Sequence, residues 1–244
     1  MTRVLVISFV LLFHGIRAQP SLETDVYRWN PAGRMFSGSG DVLREQTLSG
    51  HVMNPGGRYR LQSSDNGPDR LLIVREGMLQ VGIGDSSRLL DASSAAFLPS
   101  GDDLRVSNPG PDTACFYVLT MVSASPDRSR GSTAGGAFAI HSAQMRYRAH
   151  DRGGVRQLFD RPTVHLSRFD IHITTLNPRL SSHAPHTHRN EEIILMLDGE
   201  GEMVHGDHRR RIVSGEAAWV GSMVPHNITN TGNRPAVYYA IQWN

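Results

Sequence analysis

Four residues carry most of the chemistry this chain offers. His186, His188 and Glu192 lie in the run His186-Thr187-His188-Arg189-Asn190-Glu191-Glu192, and His226 follows in Val224-Pro225-His226-Asn227. Imidazoles and a carboxylate are good ligands for a divalent first-row metal. Three histidines and one glutamate leave one or two positions of an octahedral ion open, as a metal that does chemistry requires. His186, His188 and Glu192 share parity, so on an extended, gently bent segment they face one side and Glu191 faces the other. Pro225 stiffens the turn that returns His226 over the sheet.

The elements that must hold these groups read as short strands. Gly38-Ser39-Gly40, Asn54-Pro55-Gly56-Gly57 and residues 63–68 punctuate the first part as turns. Strands are expected at Leu71–Val74, Met78–Ile83, Ala95–Pro99 and Cys115–Met121. A second set is expected at Phe169–Thr175, Glu192–Leu197, Glu202–His205, Ala217–Val220 and Ala236–Ile241. Even spacing without a long helical period argues for an all-β sandwich or barrel. The small-residue stretch 123–136 reads as a linker between a block at 19–122 and one at 137–244.

The two blocks read as copies of one unit. Aligning Gly77 with Gly199 sets Ser64, Asn66 and Arg70 against His186, His188 and Glu192. Aligning Asn108 with Asn230 sets Leu104 against His226. All four ligand types are absent from the first copy, so one metal per chain is expected.

These residues closely resemble the cupin superfamily. Its first motif, His-x-His, three or four residues, Glu, six residues, Gly, is matched at His186, His188, Glu192 and Gly199. Its second, with a leading Gly, a Pro-x-Gly turn, then His and Asn, corresponds to Gly215, His226 and Asn230. Gly221 and Met223 stand at the usual Pro and Gly of the turn, and Leu180 replaces the usual opening Gly of the first motif. The resemblance implies two tandem jelly-roll β-barrels, a degenerate metal-free one followed by a metal-binding one. It implies His186, His188, Glu192 and His226 as ligands of one divalent transition metal, with manganese, iron, zinc, nickel and copper all open. His183 is the candidate acid/base, and His172, Thr174, Met196 and Trp219 are assigned to the substrate pocket. Arg168, Gln242 and Tyr239 are weaker candidates, Asn230 is expected to stabilise a turn, and His205 and His208 are expected on the surface of a hairpin.

Other features exclude or direct function classes. The chain has no lysine, so Schiff-base chemistry is excluded. Cys115, the single cysteine, forms no internal disulfide and reads as a buried hydrophobe. A net charge of +2, with arginines interspersed among acids except at Arg209-Arg210-Arg211, lacks a nucleic-acid footprint. Thr2-Arg3, the apolar Val4–Phe13 and Gly15-Ile16-Arg17-Ala18 read as an export signal over residues 1–18, giving a periplasmic or extracellular protein. No segment is long enough to integrate into a membrane.

The fold hosts many reactions, so the site must decide function. The leading expectation is an exported metal-dependent enzyme acting on a small oxygen-rich or carboxylated substrate, such as a sugar acid, with the metal as Lewis acid. The alternatives are a cupin dioxygenase, a non-catalytic small-molecule-binding or sensory cupin, and a ureidoglycine aminohydrolase-like enzyme. A homodimer is expected from the resemblance alone.

Overall fold

The computed structural model describes residues 19–62, 64 and 67–244. The expected leader and Asn66 lie outside them. Among the described residues the apolar runs form four antiparallel sheets, and helix is confined to Arg128–Thr133 and a 3-10 turn at Ser142–Gln144. The first large sheet has the order β11 (Phe138–Ile140), β8 (Ala95–Leu98), β5 (Asp69–Glu76), β10 (Ala114–Ser123), β3 (Leu43–Met53), β2 (Arg34–Gly38). It is backed by β4 (Arg58–Gln62), β9 (Asp103–Ser107), β6 (Leu79–Ile83) and β7 (Ser86–Leu90). The second large sheet has the order β1 (Asp25–Tyr27), β18 (Ala217–Val220), β15 (Glu191–Asp198), β20 (Ala236–Trp243), β14 (Phe169–Leu176), β13 (Gly153–Arg161), β12 (Tyr147–His150). Behind it lie β17 (His208–Val213), β16 (Glu200–His205) and β19 (His226–Asn230).

Each large sheet closes a core against its smaller partner. Leu72, Val74, Val81, Leu104 and Phe116 fill the first, and Ile194, Met196, Met203, Ile228 and Tyr238 the second. A third core lies where the two large sheets meet, built from Leu71, Ile73 and Tyr117 on one side and Ile193, Leu195, Tyr239 and Trp243 on the other. The central strands are therefore buried on both faces, which explains why β15 reads Ile-Ile-Leu-Met-Leu rather than alternating. Burying each such side chain stabilises the fold by about 1.5–3 kcal/mol.

The halves exchange edge strands. β1 belongs to the first block yet pairs with β18, Asp25 opposite Trp219. β11 belongs to the second block yet pairs with β8, Phe138 opposite Phe97. The junction is locked reciprocally. The Tyr117 hydroxyl donates to the Gly215 carbonyl at 3.1 Å, and Tyr239 donates to the Ser93 carbonyl at 2.7 Å. Glu191 crosses the junction too, accepting from Asp41 N at 2.5 Å and Trp243 Nε1 at 2.8 Å. Gly40 makes this approach feasible, because a Cβ there would sit 1.9 Å from Glu191 Oε1.

Two turns share one hydrogen-bond pattern. Asn230 Nδ2 donates to the carbonyls of Leu176 and Arg234 while its Oδ1 accepts from Gly232 N. Asn108 makes the matching set with Met53, Asp112 and Gly110. Asn230 thus ties the turn after β19, as expected. The linker is less plain than its composition: its helix Arg128–Thr133 is capped by Asp127, whose side chain accepts from Arg130 N at 2.9 Å.

Candidate metal centre

The arm before β15 reaches the cavity because it pairs with β19. His186 and His226 exchange backbone hydrogen bonds of 3.2 and 3.0 Å, Ser182 N donates to Ile228 O at 2.9 Å, and Asn230 N donates to Leu180 O at 2.9 Å. Met223 N holds the next stretch through His188 O at 2.8 Å. The imidazole of His226 is thereby gathered around one point with those of His186 and His188. The ring centroids of His186, His188 and His226 lie 4.7–5.1 Å apart. Their ligand nitrogens lie within 4.8 Å of one another, the one such histidine, cysteine and carboxylate group among the described residues. His186 is exposed at the mouth, His188 half-buried and His226 buried.

The tautomers are set by backbone carbonyls. His188 Nδ1 lies 2.9 Å from Asn190 O, and His226 Nδ1 lies 2.7 Å from Val224 O. A carbonyl only accepts, so each Nδ1 carries the proton and each Nε2 presents a lone pair, the arrangement of metal-ligating histidines. Both Nε2 atoms are buried without a hydrogen-bond partner. Glu192 Oε2 stands 2.9 Å from His226 Nε2 and 3.7 Å from His188 Nε2. Acceptors converging this closely require a positive charge among them, so the donor set fits a divalent cation. The site binds one metal ion per chain.

Glu192 is buried and is steadied by Gln242, whose Nε2 donates to Oε1 at 3.0 Å. Burial alone would raise its pKa, but His188, His226 and Gln242 together hold it below the usual carboxylate range. Its carboxylate raises the pKa of His188. Burial, with the neighbouring histidines, lowers that of His186.

A family model described as "Cupin domain" matches residues 172–242. Among solved structures, AerE from Microcystis aeruginosa is similar over 89% of this chain and 99% of its own, at 15% identity and a TM-score of 0.66. The oxalate decarboxylase formate complex from Lactobacillus farciminis is similar over 91% and 87%, at 11% identity and TM-score 0.65. Protein Ylba from E. coli is similar over 82% and 76%, at 14% and 0.63. No curated protein matches. The chain has the cupin-superfamily fold. At these identities the likeness is one of fold, and the chemistry rests on the residues themselves.

The metal cluster opens into a cavity of about 310 Å³. Among the expected pocket residues, His172, Thr174 and His183 line it. His183 donates from Nδ1 to Ala184 O at 2.9 Å, and its ring packs edge-on to His186 at 4.0 Å. Met196 packs in the core of this cupin half without lining the cavity. Trp219 is on the opposite face of its sheet: it lies in the core between the halves and donates to Gln46 Oε1 at 3.1 Å. Tyr239 also points there, while its neighbour Tyr238 lines the cavity. Arg168 is engaged with Asp160 and Asp170 outside it. His205 corrects the surface expectation: it is buried on the side of β16 that carries Met203, whereas His208 is exposed.

Sequence reasoning missed Tyr238, Ser182, His150, Asn227 and Asp170. Register could have found one set: Glu192 pairs with Gln242, so Ala240 and Tyr238 follow on the same face. Asp170 lies 3.7 Å from His172 and accepts from Gln157 at 2.7 Å and Arg168 at 3.0 Å. His172 first, then Gln157 and Arg168, hold its pKa below the usual value against the opposing effect of burial.

Proposed function

We propose that this chain is a bicupin metalloenzyme whose second half acts on a small carboxylated substrate, with His186, His188, Glu192 and His226 holding the metal. The observation that carries this reading is the convergence of His188 Nε2, His226 Nε2 and the Glu192 carboxylate beside a cavity sized for a small molecule. A divalent ion there would supply Lewis-acid polarisation of a bound carboxylate or carbonyl. Similarity to an oxalate decarboxylase, crystallised with formate, supports the carboxylate class.

The polypeptide supplies orientation and proton transfer. Burial raises the pKa of Tyr238, keeping its hydroxyl neutral beside Thr174 and Ser182, where it can donate to substrate oxygen. His172 faces the same cavity with Asp170 behind it, an arrangement that orients an imidazole for proton transfer. His183 is the second proton carrier, at the mouth. The first half is read as metal-free. Leu104 and Arg70 stand at ligand positions, Leu104 fully buried, and a His51–Phe116 stack with centroids 5.0 Å apart occupies the inner face. Export is inferred from the composition of residues 1–18.

The test is metal analysis of the protein isolated from its own compartment, followed by turnover assays on a panel of small mono- and dicarboxylates. One equivalent of a transition metal is expected, lost in His188→Ala and Glu192→Gln. His172→Gln should lower kcat more than His183→Gln does. Full metal occupancy in both ligand variants overturns the ligand set. Tight binding of a panel member without turnover overturns the enzymatic reading in favour of a binding protein.

A further inference from the structure

The backing sheet of the first half carries an arginine-lined depression of about 500 Å³, remote in topology from the metal cavity. Strand parity sets Arg58 and Arg60 on the outward face of β4, Ser107 and Arg105 on β9, Gln80 and Gly82 on β6 and Ser87 on β7. Register aligns them in two rows: Arg58, Ser107 and Gln80, then Arg60, Arg105, Gly82 and Ser87. Arg60 and Arg105 are therefore direct cross-strand neighbours, a like-charge pairing that costs stability unless an anion offsets it. Asp103 pairs with Arg60, and Arg105 donates to the Gly84 carbonyl. Arg58 has no ion pair among the described residues. The face holds three guanidinium groups against one paired carboxylate.

The fold neutralises its other arginine-rich sheet completely. In the second half Arg209 pairs with Glu202, Arg210 with Asp25 and Arg211 with Glu200. The charge left uncompensated on the first half is thus local. Gly82 shapes the site: a Cβ there would lie 3.3 Å from the Arg105 guanidinium, so glycine leaves room for it to lie across the sheet. Arg58 and Arg60, two residues apart on one strand face, stand about 7 Å apart. Arg105 stands beside Arg60 across the strands, so the three cations form a triangle that suits successive oxyanions on a chain. Gln80, Ser87 and Ser107 add hydroxyl and amide partners, and Tyr59, packed with His51 at 5.6 Å yet still exposed, lends the depression an aromatic edge that a sugar ring can lie against.

We propose that this outer face binds an acidic polysaccharide, its carboxylate or sulfate groups bridging Arg58, Arg60 and Arg105 and its hydroxyls meeting Gln80, Ser87 and Ser107. The site is independent of the metal-dependent reading. It is tested on the full chain by calorimetric titration with an oligogalacturonate hexamer, a heparin-derived hexasaccharide and inorganic sulfate. Saturable binding of at least one oligosaccharide is expected, weakened about tenfold or more in Arg58→Ser/Arg60→Ser/Arg105→Ser, because charge-assisted hydrogen bonds are lost. Arg209→Ser/Arg210→Ser/Arg211→Ser removes the same charge elsewhere and should leave binding within about twofold. Arg58→Ser alone removes no internal ion pair and should still weaken binding, separating lost binding from lost fold. Preference for the carboxylated or the sulfated chain identifies the anion. Equal losses in both triple variants, binding of sulfate as tight as that of the chains, or equal affinity for single-stranded DNA overturns the proposal.

Discussion

Glu192 buries a carboxylate whose two oxygens meet different partners: Oε1 accepts from Gln242, and Oε2 confronts the imidazoles of His226 and His188. In the proposed ligand set Gln242 is a positioning residue, holding Oε2 toward the metal. Removing such an outer partner typically lowers metal affinity about 10–100-fold. Gln242→Leu should therefore weaken metal binding by that order while leaving the histidines in place. Chelator competition measures it, and unchanged affinity would show that Glu192 is held by packing alone. Glu191, one residue earlier, faces the junction between halves, so adjacent glutamates serve opposite faces of one strand.

β19 supplies both a ligand and the edge on which the arm of His186 is templated. Its C-terminal end is fastened by Asn230, as the end of β9 is by Asn108, each with three hydrogen bonds to backbone. Asn108→Ala and Asn230→Ala should each destabilise the protein by about 1–3 kcal/mol, since buried carbonyls lose their donor. Urea unfolding of the metal-free protein checks this. Metal affinity separates the two: Asn230→Ala should reduce it through β19, and Asn108→Ala should leave it unchanged. Equal effects on the metal would mean that the two units respond as one body.

At the scale of the molecule, Tyr117 and Tyr239 tie the halves by reciprocal hydrogen bonds. Burial raises the pKa of both; for Tyr117, Arg75 opposes the shift while Glu76 and Cys115 add to it. An unfolded tyrosine ionises near pH 10. Stability from a raised folded pKa is complete below that value and is lost as pH rises toward the folded one, because the unfolded state releases its protons first. Alkaline unfolding should therefore steepen above about pH 10. In Tyr117→Phe/Tyr239→Phe this limb should flatten, at a cost near neutral pH of about 0.5–1.5 kcal/mol for each lost hydrogen bond. Thermal melts between pH 7 and 11 read both effects. An unchanged alkaline limb in the double variant sinks the assignment.

The histidine cluster, the all-β class and most strands were legible because each is written locally, as donor type, parity, turn residues and hydrophobic run. Ala217–Val220 matches its expected bounds, and β5, β10, β15 and β20 extend theirs by a few residues. Tertiary structure decided which face of each strand sees the cavity, since alternation defines two faces without naming them. Hence Tyr238 lines the site while Tyr239, a weaker candidate from sequence, and Trp219 belong to the junction. It also decided the exchange of β1 and β11, because an edge strand is chosen by backbone hydrogen bonding to a partner remote in sequence. The types and spacing of these donor residues were thus determined by the sequence itself. The tautomers, the cavity and the His172–Asp170 pairing arose only when β14, β15, β19 and β20 were brought into register.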